Sequence, residues 1–515
     1  MVDEMIFPVF VILFGFLLLR LYDTLVAKPR KLRRILVQQG IDGHPPKFML
    51  GNILELKKSR DEMEKTCPPL IHDTADFIFS FLEQSRKKYG PLYLFSLGNL
   101  QILYVSKPDL VKAIATCTSL DLGKPSHLRE DLGPLLGQGI VTSNGSIWAR
   151  QRKIIAPELF MDKVKGMMDI ITESAHELVA SLNHEIDNGG AVEITIDDYM
   201  KRFSGDTISR ACFGRNCSKV QQIFQKLGHL SKIISTRITS LGVPGIRYLP
   251  TKNNRRIAEL EREIEALIME TVKERQMSGG GSEKDLLQKL LESAESSSHF
   301  DFDFKSISIR QFIVDNCRNI YLAGFETSAS AATWCVMLLA SNPEWQSRVR
   351  DEINDVCGGR RSPDMNMLRN MKQLTMVIQE SMRLYPPTPV VSREALQDIT
   401  IGDIRVPKGV QVMVMVAALH TDTSIWGLDA LEFKPERFQN GIAGACKSPR
   451  AYVPFGLGQR VCVGQHLAML ELKLIVASIV TNFSFTLSPN YVHSPVMRLS
   501  LQPNYGVKIL ARKLT

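Results

Sequence analysis

No two of the nine cysteines form a Cys-x-x-Cys pair, and none has zinc-ligand spacing. That excludes a structural zinc and a thioredoxin-like redox centre. An odd number of thiols scattered through apolar segments reads as reduced cysteines, in a body that faces the cytosol. Aromatic residues make up only 7% of the chain and nowhere interleave with basic ones as in an RNA-binding motif. The formal charge of +9 therefore suits anionic lipid or an acidic partner protein, not nucleic acid. There is no Gly-x-Gly-x-x-Gly run, hence no dinucleotide or flavin domain within the chain. Internal repeats are also absent. The N-terminal apolar run lacks a small-x-small cleavage site and opens with Asp3 and Glu4 in place of lysines, which argues against a removed signal peptide.

What is present begins with that run. Met5 to Leu19 carries no charge, and Leu21, Tyr22 and Leu25 to Ala27 extend its apolar character past Arg20. As one helix at about 1.5 Å per residue the stretch would span roughly 34 Å, enough to cross a bilayer with Arg20 and Asp23 near the interface. Lys28, Arg30, Lys31, Arg33 and Arg34 follow and stay on the cytosolic side by the positive-inside tendency. The expected organisation is a membrane anchor over 1–27, a basic linker and proline hinge over 28–46, and a catalytic domain over 47–515. In that domain helical periodicity dominates, as in Ile257 to Arg275 and Lys284 to Ser293. Strand signals are short: Leu92 to Ser96, Gln101 to Val105 and Val412 to Val416. The fold class expected is mainly α with a small mixed β-sheet region, plus one N-terminal transmembrane helix.

Near the C-terminus Phe455, Gly458, Arg460, Cys462 and Gly464 fit Phe-x-x-Gly-x-Arg-x-Cys-x-Gly. Five fixed positions arise by chance roughly once in several million start points. Two glycines would let the backbone pass close to a flat macrocycle. Amide hydrogens of the turn, and a helix beginning near Leu467, would favour sulfur as thiolate. Arg460, a fixed cation with several donors, suits a carboxylate. On these residues the chain resembles the cytochrome P-450 superfamily, in which a cysteine holds haem iron.

Further motifs appear in the order the resemblance requires. Ala323-Gly-Phe-Glu-Thr-Ser328 lies in a long apolar helix from about Ile313 to Ala340 and resembles the oxygen-activating segment of the superfamily. The hydroxyl of a helical threonine can bond back to the carbonyl four residues earlier, here Ala323, and Gly324 would widen the notch so formed. The resemblance makes Thr327 the residue that positions a proton at the oxygen site and Glu326 the relay inward. It makes Glu380, Arg383 and Arg437 a structural network behind the cysteine loop, and it places Trp148 and Arg152, one helical turn apart, at a haem propionate. Arg393 resembles a further propionate contact. Phe455, Gly464 and Cys462 complete the expected haem set, with Cys462 as the metal ligand, and His420 is read as packing.

The resemblance implies a haem b monooxygenase in the endoplasmic reticulum membrane, single-pass, with its catalytic domain cytosolic. Electrons would come from an NADPH-cytochrome reductase, with a b-type cytochrome as a second donor. Trp148 to Phe160, His493 to Met497 and Gln502 to Gly506 are similar to the plant seventy-two clan. Within that clan the closest likeness is to the branch that oxidises gibberellins and related diterpenoid acids, which also has members that hydroxylate pentacyclic triterpenes. The expected substrate is such a hydrophobic terpenoid, hydroxylated or epoxidised, touched by the Asp121–Ile140 loop, the 224–250 region, Ile320, Leu322, Thr388 to Val391 and Val496-Met497. The rival readings are a reductase-independent haem-thiolate isomerase or dehydratase, and a non-catalytic haem-binding membrane protein.

Overall fold

A computed structural model describes residues 2–63, 70–186, 190–214, 219–235, 249–277, 285–296, 308–360 and 362–514. Helices dominate and the sheets are small. The exposed loop read at 278–282, and 236–248 of the segment assigned to substrate, lie outside the described residues.

The centre is a 33-residue helix, Ile309–Ser341, here called the core helix. Ser308 starts it, its hydroxyl accepting from the amide of Gln311 at 3.1 Å. Asn342 ends it, because the residue before Pro343 is disfavoured in helical geometry. Being apolar on nearly every side, the helix has no solvent face to offer and is buried along most of its length. Among the described residues it alone is long and apolar enough to cross a membrane, yet it is a core element. Ile196–Phe213 packs across it, as does Gln465–Asn482, the helix that follows the cysteine loop.

The two helices expected near 257–275 and 284–293 are observed as Lys252–Met277 and Leu286–Ser296. The first two strand signals form an antiparallel hairpin, Leu92–Leu97 with Leu100–Val105, closed by a two-residue turn in which Gly98 takes φ +58°. Gln411–Met415 joins it in parallel, then Val390–Ala395 and Leu122–Gly123 complete five strands. This sheet delivers Arg393 and Lys124 to one edge of the site.

At the N-terminus Val2–Tyr22 is helical, a π-helical turn spans Asp23–Ala27, and Lys28–Val37 is helical again. Side chains from Val11 to Leu19 are largely exposed, Ile12 and Leu19 at 69% each. Attachment to the body begins only at the second helix, where Leu36 is fully buried and Arg33 donates to the carbonyl of Gly43 at 3.0 Å.

Glu380 and Arg383, one turn apart on Lys372–Leu384, are both fully buried. Arg383 Nε and Nη2 donate to Glu380 at 2.7 and 2.8 Å, while Arg437 reaches the same carboxylate at 3.4 Å. Arg383 also donates to the carbonyls of His420, Ala430 and Glu432. His420 lies in the same framework. Burial pushes its imidazole down to about 3, so it is neutral, and its Nε2 accepts from the amide of Val453 at 3.0 Å. These bonds fasten the stretch just ahead of the cysteine loop to the core.

Candidate active site

The cysteine loop is a tight reversal. The amide of Cys462 donates to the carbonyl of Phe455 at 2.9 Å, and Gly456 and Gly458 take φ +78° and +68°. Gly458 owes its identity to that backbone and to the carbonyls of Ile114 and Ala115, which a Cβ would meet at 3.3 and 3.2 Å. Clearance for a macrocycle, the reason inferred from sequence, does not apply at this glycine. Cys462 lies deep in the fold, and its sulfur is accessible only because it opens on an internal cavity. Burial pushes the thiol up, while the Gly464 amide and the Arg152 guanidinium pull it down. Gly464 stands just ahead of the helix Gln465–Asn482, which begins two residues before the expected Leu467.

One wall of the cavity is cationic. Lys124, Arg152, Arg393 and Arg460 line it together with Trp148. The Arg460 guanidinium sits 4.2 Å from the Trp148 ring centre and Arg152 5.7 Å from it. The arginines are oriented by neighbouring acceptors. Arg152 donates to Val461 O at 2.8 Å, Arg393 to Leu457 O at 3.1 Å, and Arg460 to Ser143 O at 3.0 Å and Asn144 Oδ1 at 2.8 Å. Burial first pushes Lys124 down to about 7, Arg393 to about 10 and Arg460 to about 9. Mutual repulsion among the cations adds to this at Lys124 and Arg460. Among the described residues the only acid lining the cavity is Glu471, itself pushed up to about 8 by burial and so neutral at pH 7. Three arginine cations and Lys124, with no charged carboxylate among the described lining residues to answer them, call for an anionic group. A macrocycle that bears two propionates and whose metal takes a thiolate ligand would fit that donor set, with Cys462 and the cationic residues lining one cavity.

On the opposite side the core helix presents Ala323 and Thr327. Thr327 Oγ1 donates to Ala323 O at 2.6 Å, the back-bond expected from sequence. Gly324 lines the cavity beside that back-bond, and its missing Cβ, which would fall 2.6 Å from Ile208 Cδ1, has a second consequence. It lets the helix Ile196–Phe213 cross closely and brings Ile208 into the cavity.

Glu326 is not brought to the cavity with the others. Its carboxylate receives Gln502 Nε2, and its carbonyl receives Ser500 Oγ at 3.4 Å. Burial raises its pKa against the pull of Lys201, Gln502 and Arg498. Lys201 and Phe325 line an open groove of about 700 Å³. Glu326 thus turns its carboxylate to Gln502, within the field of Lys201, and does not line the cavity that holds the sulfur.

Of the expected substrate contacts, Ile140, Ile320, Thr388 and Val391 line the cavity, as do Ile208, Met382 and Leu159, which sequence reasoning missed. Leu322, Val496 and Met497 do not line it, and Phe224 packs instead against Tyr321 and Phe325. Lys124 falls within the expected Asp121–Ile140 loop, but its part in the cationic wall was missed, because a single lysine between Gly123 and Pro125 carries no pattern. Glu471 left a readable signal, an acid within an otherwise apolar run after the cysteine.

A mainly helical fold, with a cysteine loop under a cation-walled cavity and a helical threonine above it, defines a haem-thiolate enzyme. The comparisons with known proteins agree. The profile of the family described as Cytochrome P450 matches residues 69–510. The chain is 46% identical to Cytochrome P450 714C2 of Oryza sativa subsp. japonica over 96% of its length and 95% of the relative's. It is 43% identical to Cytochrome P450 714A2 of Arabidopsis thaliana over 95% and 94%, and 41% identical to Cytochrome P450 714B3 of Zea mays over 96% and 93%. The chain belongs to the cytochrome P450 family, and its cofactor is haem.

Proposed function

We propose that the chain hydroxylates or epoxidises a hydrophobic terpenoid, a gibberellin-type diterpenoid acid or a pentacyclic triterpene, at a haem whose iron is held by Cys462. The haem, when bound, supplies the reductive activation of dioxygen. Trp148, Arg152, Arg393 and Arg460 hold its propionates, Lys124 adds a further cation, and Phe455 and Gly464 shape the loop around the sulfur. Thr327 places a proton at the oxygen pocket, and Glu326 passes protons to it from the groove beside Lys201. Electrons come from NADPH through a reductase, with a b-type cytochrome as second donor.

The observation that carries the monooxygenase reading over the isomerase one is the Thr327 to Ala323 back-bond, which holds a hydroxyl over the cavity. The terpenoid reading is supported by the apolar lining Ile140, Ile208, Ile320 and Val391, and by near full-length likeness to the 714 members. Residues 1–27 anchor the chain in the endoplasmic reticulum membrane with 47–515 in the cytosol. The exposed apolar side chains from Val11 to Tyr22 and the basic helix that follows support this reading.

Microsomes holding the chain and a reductase, given NADPH and a panel of diterpenoid acids and triterpenes, should yield products one oxygen atom heavier by mass spectrometry. Turnover without NADPH would favour the isomerase, and no turnover of any terpenoid would remove the substrate reading. The chain should stay in the pellet after an alkaline wash, and its release would remove the anchor.

Thr327→Ala should retain haem and substrate binding while product per NADPH falls about 100-fold, the usual scale of general-acid assistance. Electrons then leave as hydrogen peroxide, which a peroxidase assay measures. Thr327→Ser restores the hydroxyl and should recover most of the yield. Unchanged yield in Thr327→Ala would assign the proton to Glu326 acting without it.

A further inference from the structure

Within the apolar core helix stands a run of consecutive buried residues, Asp315, Asn316, Cys317, Arg318 and Asn319, four of them polar. Burying polar groups is costly unless each finds a partner, so the partners show what the run is for. Asp315 Oδ2 accepts from the amide of Gln138 at 2.8 Å, Asn316 Oδ1 from that of Ile140 at 3.0 Å, and Asn319 Oδ1 from that of Val141 at 2.8 Å. Asn319 Nδ2 donates to Leu136 O at 2.5 Å, and Arg318 to Pro134 O at 3.4 Å. Every one of these bonds lands on the backbone of one segment, 134–141, the short helix Gly133–Leu136 and the turns that follow it.

The segment is shaped to receive them. Gly137 takes φ +53°, and a Cβ there would lie 2.0 Å from Asp315 Oδ1. A Cβ on Gly139 would lie 2.5 Å from Asn319 Cγ. Beyond the glycines the chain turns Ile140 and Val141 into the active-site cavity. Asn319, Ala323 and Thr327 follow at four-residue intervals on one helix face, so clamp and threonine are about 12 Å apart on one rigid rod.

We propose that the polar run 315–319 of the core helix is a clamp that fixes the substrate-facing segment 137–141, making Asp315, Asn316 and Asn319 positioning residues for whatever occupies the cavity. The proposal goes beyond the terpenoid reading and does not depend on it. A ceiling ordered before binding spares the ligand the cost of ordering it.

The test uses the haem-loaded full chain and two iron-binding probes. Imidazole needs only the iron, whereas clotrimazole, a bulky azole, also needs the ceiling. Asn316→Ala removes an acceptor without touching the cavity lining, and Gly139→Ala disturbs the neighbouring Asn319 contact of the same clamp from the loop side. In each variant clotrimazole affinity, by spectral titration, should fall about tenfold, as expected for one buried amide left unpaired. Imidazole affinity and the reduced carbonyl spectrum should hold. Unchanged clotrimazole affinity would overturn the clamp, and so would equal loss of both probes or loss of haem, which would make the run a plain folding element. A second measurement needs no variant: hydrogen exchange in the wild-type protein should show the amides of Gln138, Ile140 and Val141 protected like those of the core helix. Fast exchange there would overturn the proposal on its own.

Discussion

Cys462→Ala should abolish oxygenation and remove the strongly red-shifted carbonyl band of the reduced haem, because that band requires a thiolate ligand. Among the described residues Cys462 is the only cysteine at the cavity; Cys317 and Cys335 on the core helix and Cys212 on the helix packed across it are sealed in the interior, where burial raises their thiols. His420 cannot substitute, since both of its ring nitrogens are already bonded, one to Arg383 O and the other to the amide of Val453. The cationic wall would remain, so some haem should still bind, held by Trp148, Arg152, Arg393 and Arg460. Cys462→Ser would replace sulfur by a poorer ligand and behave alike. The loss of activity should reach several orders of magnitude, measured as product per haem with a saturating reductase. A normal carbonyl spectrum in Cys462→Ala would mean that the iron ligand lies elsewhere.

Arg383→Leu should be nearly as damaging, through stability. Removing one partner of a buried ion pair leaves the other uncompensated and typically costs about 3–5 kcal/mol. Total stabilities are about 5–15 kcal/mol, so the loss is a large share. Here the loss is greater than that of one pair, because Arg383 also serves three carbonyls, of His420, Ala430 and Glu432. For the same reason the double replacement Glu380→Leu with Arg383→Leu should rescue little: it removes both charges but leaves those carbonyls unpaired. Arg383→Lys keeps the charge yet supplies too few donors in the wrong geometry. Expression without haem, or a melting transition lowered by many degrees, is the expected result for all three. A variant that loads haem and melts within a few degrees of the parent would show that the network is dispensable.

Legibility from sequence followed the range of the interaction. The Thr327 to Ala323 bond spans four residues, and the pair Glu380–Arg383 spans three, so helical periodicity alone brings each together. The cysteine motif is similarly short. Its consequences could be read from the chain, though the reason for Gly458 could not, because the carbonyls of Ile114 and Ala115 that press on it come from a distant helix. Gly324 was legible as a glycine at the threonine notch, but not its second role, admitting Ile208, a residue with no sequence relation to it.

The chain by itself therefore determined the helical class, the cysteine, the threonine and the order of the motifs, all of which rest on local backbone geometry and short spacings. Only tertiary structure decided the rest. Lys124, Arg152, Arg393 and Arg460 come from four separate segments, and their meaning as one anion-binding wall exists only where those segments meet. Glu326 and Thr327 are neighbours in sequence, yet a rotation of about 100° per residue sends one side chain toward Gln502 and the other into the cavity. The run 315–319 passed in sequence as part of an apolar helix. Its polar atoms acquired a purpose when the backbone of 134–141 folded onto them, because a buried amide must find an acceptor and these side chains were the ones in reach.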